Sequence, residues 1–290
     1  MRNAIAISCT ALCAALACPG LLLAETPTGV AHSVQLDGGK VHYTGYGTGE
    51  NALVFVHGWS CDETFWAGQT PLGAKFHVIT LDLPGHGQSD KPRIPYTMDF
   101  YVRAIDAVLQ DAKVKGAVLV GHSNGTPVIR QFYRKFPEKT RALVIVDGGL
   151  RPRADKATME KFLEPLKGAN YEENVGKFID NMTSSIADTA LREKIRTTML
   201  RTPQYVGVSE FEATLDLELW KPDKITVPVL MLLAKQPAWN AEYEQFARSI
   251  VSTLDYQLWE GVSHFLMMEK PEEFNRAVVA FLEKHQIAGK

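Results

Sequence analysis

The sequence predicts a doubly wound, mostly parallel α/β sheet of eight strands with a helical cap insertion, and three observations carry that prediction. Short continuous apolar runs recur at 52–56, 77–81, 117–120, 142–146 and 229–233, as expected of strands buried on both faces. Longer amphipathic stretches separate them, and strand then helix, repeated, gives a parallel sheet covered on both sides. The stretch from Leu150 to Trp220 breaks this alternation. It is rich in charge and Met, helical in pattern and without a buried strand, so it reads as a cap over the carboxyl edge of the sheet.

The elements follow in order. Residues 31–36 and 40–46 are strand-like and joined by Asp37-Gly38-Gly39, which predicts a hairpin. The buried strands 52–56 and 77–81 come next. Residues 97–110 then form a helix with Thr97 as N-cap and Phe100, Ala104 and Val108 on one face. Strand 117–120 leads through a Gly-rich turn into a helix carrying Val128, Ile129, Phe132 and Tyr133. Strands 142–146, 229–233 and 256–259 complete the set, with no internal repeat or low-complexity segment.

The first 24 residues stand apart from this pattern. Arg2 precedes an Ala/Leu-rich run that ends before Glu25-Thr26-Pro27, as in a cleaved signal peptide. Cleavage after Ala24 leaves a core of residues 25–149 and 221–290 with a cap of 150–220. It implies a secreted or periplasmic protein with no stable membrane insertion. A lipoprotein anchor at Cys18 and an uncleaved membrane anchor are the other readings, and Pro19-Gly20 interrupts the run that the latter needs. Cys9, Cys13 and Cys18 all fall in this segment, so Cys61 alone remains and no internal disulfide is expected. No G-x-C-x-G turn surrounds Cys61, which reads as structural. The 31 basic and 33 acidic residues are dispersed and sum to −2, which argues against nucleic acid as a partner.

The strongest chemical signal is Gly121-His122-Ser123-Asn124-Gly125, placed between a strand and a helix as a nucleophile elbow requires. A serine hydroxyl needs a base to take its proton, and histidine titrates in the right range. Only His264 and His285 follow Ser123, and His285 sits in a polar tail. His57, His86 and His122 are expected to shape loops, and His32, His42 and His77 to be strand or surface residues. Neither a Cys cluster, an H-x-x-x-H helix nor a G-x-G-x-x-G loop is present, so neither metal nor cofactor is expected.

From about His32 to the C-terminus the chain resembles the α/β-hydrolase family. Besides the elbow, the resemblance rests on His57-Gly58-Trp59 after strand 52–56, on Asp82-Leu83-Pro84-Gly85-His86-Gly87-Gln88-Ser89 after strand 77–81, and on Gly261-Val262-Ser263-His264-Phe265 after the last strand. It implies a triad in the chain order Ser, acid, His, which makes His264 rather than His285 the candidate base for Ser123, and an oxyanion hole made by the backbone amides of Trp59 and Asn124. The family's commonest acid position, after the seventh strand, is empty here, because residues 229–240 contain no carboxylate. Asp147, at the end of the sixth strand, resembles the acid of haloalkane dehalogenases and some lactone hydrolases. Glu242 or a Ser-His dyad are the alternatives.

The expected reaction is acyl transfer to water from a small, moderately apolar ester or lactone. Trp59, Trp239 and Phe265 are expected at the substrate, whereas Trp66, Trp220, Met267 and Met268 divide between pocket and core. An amide or peptide hydrolase of iminopeptidase type, a cofactor-free perhydrolase and a non-catalytic binding protein are the competing readings. Dehalogenation is disfavoured, since relatives that perform it have aspartate where this chain has Ser123.

Overall fold

The computed structural model describes residues 27–287; the expected signal segment, with Cys9, Cys13 and Cys18, lies outside the described residues. Strand β3 (Asn51–Val56) shows why the central strands are apolar throughout. Its Ala52, Val54 and Val56 join one hydrophobic cluster, while Leu53 and Phe55 join a second. Successive side chains point to opposite faces, so a strand between two cores has no place for a polar residue.

The other strands are β1 (Val30–Leu36), β2 (Gly39–Tyr46), β4 (His77–Leu81), β5 (Gly116–His122), β6 (Thr140–Val146), β7 (Val229–Ala234) and β8 (Leu254–Trp259). Their order is β1-β2-β4-β3-β5-β6-β7-β8. The hairpin β1–β2 and the β2–β4 pair are antiparallel, and all other neighbours are parallel. Strand β5 runs two residues beyond Val120, so the first glycine of the elbow is still hydrogen-bonded sheet.

Helix α1 (Met98–Asp111) starts on Thr97, whose hydroxyl accepts from the Phe100 N–H at 3.1 Å. Helix α2 (Gly125–Lys135) follows β5. Together with α1 it packs in the first cluster, through Phe100, Ile105, Val128 and Phe132. A 3-10 segment over Glu63–Ala74 was not anticipated, because Gly68, Pro71 and Gly73 interrupt any helical period.

Between β6 and β7 the chain forms α3 (Lys156–Lys167), α4 (Tyr171–Thr183), α5 (Thr189–Met199), α6 (Gln204–Ala213) and a 3-10 turn, Leu217–Trp220. Arg130 of α2 holds both roots of this stretch. It is buried, and donates to the Leu150 carbonyl at 2.8 Å and to the Lys221 carbonyl. Burial pulls its guanidinium down to about 10, which leaves it charged at neutral pH. Helices α7 (Ala241–Ile250), α8 (Leu266–Glu269) and α9 (Pro271–Lys284) complete the chain. No helix among the described residues is long and apolar enough to cross a membrane.

Candidate active site

Ser123 lies between β5 and α2 with φ of 51°, a left-handed conformation that costs a non-glycine residue about 1–3 kcal/mol. The turn is tight on every side. A Cβ on Gly121 would lie 2.7 Å from the Gly125 carbonyl oxygen, and one on Gly125 would lie 2.7 Å from that of Val56. Those contacts, rather than flexibility, are why the positions flanking the serine are glycine. The Ser123 N–H donates to the Val146 carbonyl at 2.9 Å, tying the elbow to the end of β6.

Asp147 follows β6 directly, also with positive φ, 41°. Its carboxylate is buried and accepts from the Ala234 N–H at 3.0 Å and from Trp239 Nε1 at 2.8 Å, while its other oxygen stands 2.6 Å from His264 Nδ1. Gln236 Nε2 lies 3.5 Å from the same oxygen. Burial pushes this carboxyl up, but the bonds from His264 and Trp239 and the nearby charges of His264 and Arg153 prevail, holding it below its ordinary range. The loop after β7 therefore supplies donors where the commoner arrangement has a carboxylate. Glu242, the alternative acid, instead pairs with Arg151 at 3.0 Å and is exposed.

His264 is positioned by its own loop. Ser263 gives both its N–H and its hydroxyl to Glu269, at 2.7 and 2.5 Å, and His122 Nε2 bonds the His264 carbonyl at 2.9 Å. Burial, with the charge of His264, pulls His122 down to about 3, so this neighbour is neutral. With Nδ1 committed to Asp147, Nε2 is the nitrogen of His264 left for proton transfer.

Trp59 and Asn124 border the same cavity as Ser123, and neither of their backbone N–H groups is donated to a protein acceptor among the described residues. The loop carrying Trp59 is fixed by His57, which bonds the Gly58 carbonyl through Nδ1 at 2.9 Å and accepts from the Leu83 N–H through Nε2 at 3.0 Å. Those two roles define a neutral ring, and burial accordingly pulls His57 down to about 4. The Trp59 indole donates to the Gly207 carbonyl of α6 at 2.8 Å.

The cavity has a volume of about 280 Å³, at the small end of the range for ligand sites. All four helices between β6 and β7 furnish its apolar wall, through Met159, Phe162, Phe178, Met182, Met199 and Phe211. Phe265 and Trp220 line it as well, and so does Cys61, whose thiol burial pushes up. Trp239 corrects an expectation: it does not border the cavity but lies buried behind Asp147, its indole committed to the carboxylate. Trp66 and Met267 are core.

Glu210 of α6 escaped the sequence reading. Fully buried, it accepts from Asn124 Nδ2 at 2.7 Å and bonds His86 Nε2 at 3.1 Å. Burial pushes its carboxyl up, but these two partners outweigh burial and keep it ionised. It thus joins the helical stretch between β6 and β7 to the residue after the serine, and no motif marks it. A second cluster, His42, Glu63 and Asp82, brings possible metal ligands within 4.8 Å of one another. Its carboxylates are already matched by the hydroxyls of Thr44 and Thr80, by His42 and by the backbone of Glu63 and Gln88, so it reads as a brace.

Several known proteins are similar to this chain. A 2-hydroxy-6-oxononadienedioate/2-hydroxy-6-oxononatrienedioate hydrolase of Burkholderia vietnamiensis is 27% identical over 276 residues, covering 84% of this chain and 91% of that protein. An uncharacterized protein of Mycobacterium bovis is 37% identical over 99 residues, and the match spans only 29% of its length. Among solved structures, Est816, described as an N-acyl homoserine lactone degrading enzyme, superposes with a TM-score of 0.73 at 24% identity, covering 86% of this chain and all of that one. An esterase from Exiguobacterium antarcticum gives 0.75 at 18% identity, covering 87% and 98%. The model of the alpha/beta hydrolase family matches residues 53–277, and on that match the chain belongs to the α/β hydrolase family.

Proposed function

We propose that the protein is a serine hydrolase that opens an ester or lactone of a small, largely apolar molecule through an acyl-enzyme. Ser123 attacks the carbonyl carbon, His264 takes the hydroxyl proton through Nε2, and Asp147 holds the ring by Nδ1 and stabilises the imidazolium. The amides of Trp59 and Asn124 receive the oxyanion. His264 then returns the proton to the departing alkoxide, and water, activated by the same ring, releases the acid. The observation that carries this reading is the 2.6 Å His264–Asp147 contact beside a serine held at positive φ over one shared cavity. Residues 150–220 act as the cap that closes it.

Ester or lactone chemistry is favoured over an iminopeptidase-like role by charge. Among the described residues the cavity wall holds no carboxylate except Asp147, so the free ammonium of an amino-terminal substrate would meet no counter-charge. The esterase and lactone-degrading neighbours fit the same reading.

The test is a panel of 4-nitrophenyl esters and lactones, together with fluorophosphonate labelling. Ser123→Ala should abolish both turnover and label, and Asp147→Asn should lower kcat by about 10³-fold or more with the label slowed in parallel. An unlabelled, inactive wild type would sink the enzyme reading in favour of a ligand-binding protein. Normal turnover in Asp147→Asn would remove Asp147 from the triad.

A further inference from the structure

The cavity above Ser123 is apolar on its cap side and cationic along one rim. Arg151 and Arg153 line it from the loop that follows Asp147. Both guanidiniums are seated on aromatic faces: Arg153 lies 5.4 Å from the Trp239 ring centre, and Arg151 lies 5.5 and 5.4 Å from those of Tyr243 and Phe246. The loop beneath them is pinned at Leu150, whose N–H donates to the Tyr243 hydroxyl at 3.0 Å and whose carbonyl accepts from Arg130 at 2.8 Å. Pro152 stiffens the backbone between the two arginines.

Charge is unevenly spent in this corner. Arg151 shares its charge with the exposed Glu242, whereas Arg153 forms no ion pair among the described residues. Asp147, the one carboxylate on the cavity wall, is held by His264 and so is not free to balance them. A neutral apolar substrate would leave Arg153 with no anion of its own at the rim. A carboxylate would meet two guanidiniums already positioned by the rings beneath them, Arg151 half-buried and Arg153 exposed at the rim, whose planar forks match a carboxylate in a bidentate way.

We propose that Arg151 and Arg153 form a carboxylate subsite, so that the preferred substrate is an ester or lactone bearing an anionic group at one end of an apolar body. This rests on the serine-hydrolase reading and adds the charge of the substrate to it. The apolar body lies against the cap helices, the reacting carbonyl lies at Ser123 and the carboxylate at the arginine rim. A competing role exists for Arg153, since it also lies close enough to favour the ionised form of Asp147, and in that role it would act on every substrate alike.

Two matched ester pairs separate these. In the first, 4-nitrophenyl hydrogen glutarate is compared with its neutral methyl ester; in the second, 4-acetoxybenzoate is compared with methyl 4-acetoxybenzoate. At low ionic strength the anionic member of at least one pair should be favoured by about tenfold in kcat/KM, chiefly through KM. Arg153→Gln should reduce that preference towards parity and Arg153→Glu should reverse it. Equal turnover within both pairs overturns the subsite. So does an Arg153→Glu variant that slows both members of a pair equally, which would assign Arg153 to Asp147 instead. Binding of the same intact esters to Ser123→Ala, read by tryptophan fluorescence, gives a measure that needs no turnover. Tighter binding of the anion, lost on adding Arg153→Glu, supports the subsite even if the wild type hydrolyses nothing, and equal dissociation constants overturn it.

Discussion

Asp147 keeps a full negative charge in a place sealed from water, and the donors around it make that possible. Trp239→Phe keeps the ring but removes the Nε1 donor at 2.8 Å. A hydrogen bond to a charged group is worth about 1.5–3 kcal/mol, so kcat/KM for a good ester should fall roughly 10- to 100-fold. The pH course should change too. A carboxyl held below its unfolded value contributes stability that is present above that value and lost as pH falls through the folded one. Without the indole bond the folded carboxyl moves up towards its unfolded value, so this loss should be smaller and complete at a higher pH, which denaturation midpoints followed below about pH 5 would show. An unaltered rate and acid limb would mean that the bond is incidental. Ser123 and His264 were legible because each lies in a local motif whose spacing the turn dictates. Asp147 was suggested by resemblance to hydrolases that carry their acid after the sixth strand, once the stretch after β7 proved empty of carboxylates. The role of Trp239 was not, because it depends on a contact across 92 residues that no local pattern records.

Among the elements, α6 ties the stretch between β6 and β7 to the serine turn most directly. Its Glu210 bonds Asn124 across 86 residues of sequence and His86 across 124. Glu210→Gln retains an acceptor for Asn124 but puts an amide group against His86, and it removes a buried charge that both partners stabilise. Stability in urea should drop by about 1–3 kcal/mol. The bond bears on Asn124 and not on the apolar wall, so kcat should fall while KM for a short ester changes little. A rise in KM alone would place the effect in the cavity and contradict this reading. The strands were readable from sequence since burial on both faces leaves continuous apolar runs. Their ends were less so, as β5 shows by running on into the elbow. Glu63–Ala74 was unreadable, because glycine and proline erase its period while its Phe65 and Trp66 are anchored by tertiary packing.

At the scale of the molecule, the loops that assemble the site are held by buried histidines in the neutral state. His57 sits at about 4 and His122 at about 3, both pulled down first by burial, against an unfolded value near 6.5. The sign follows from proton counting. Between the folded and unfolded values the unfolded chain binds more protons, so stability is complete above about pH 6.5 and declines as pH falls towards 4 and then 3. Each ring contributes a slope of up to about 1.4 kcal/mol per pH unit in that window, and two rings together make the fold acid-sensitive well above the range where carboxylates titrate. Urea midpoints measured from pH 7.5 to 4.5 should therefore fall steadily. In His122→Gln the absolute stability should be lower but the slope shallower by about one proton, because one neutral ring no longer has to be kept from protonating. A slope unchanged by that substitution would show that His122 is not held neutral, and the bond it gives to the His264 carbonyl would then need a different electrostatic account.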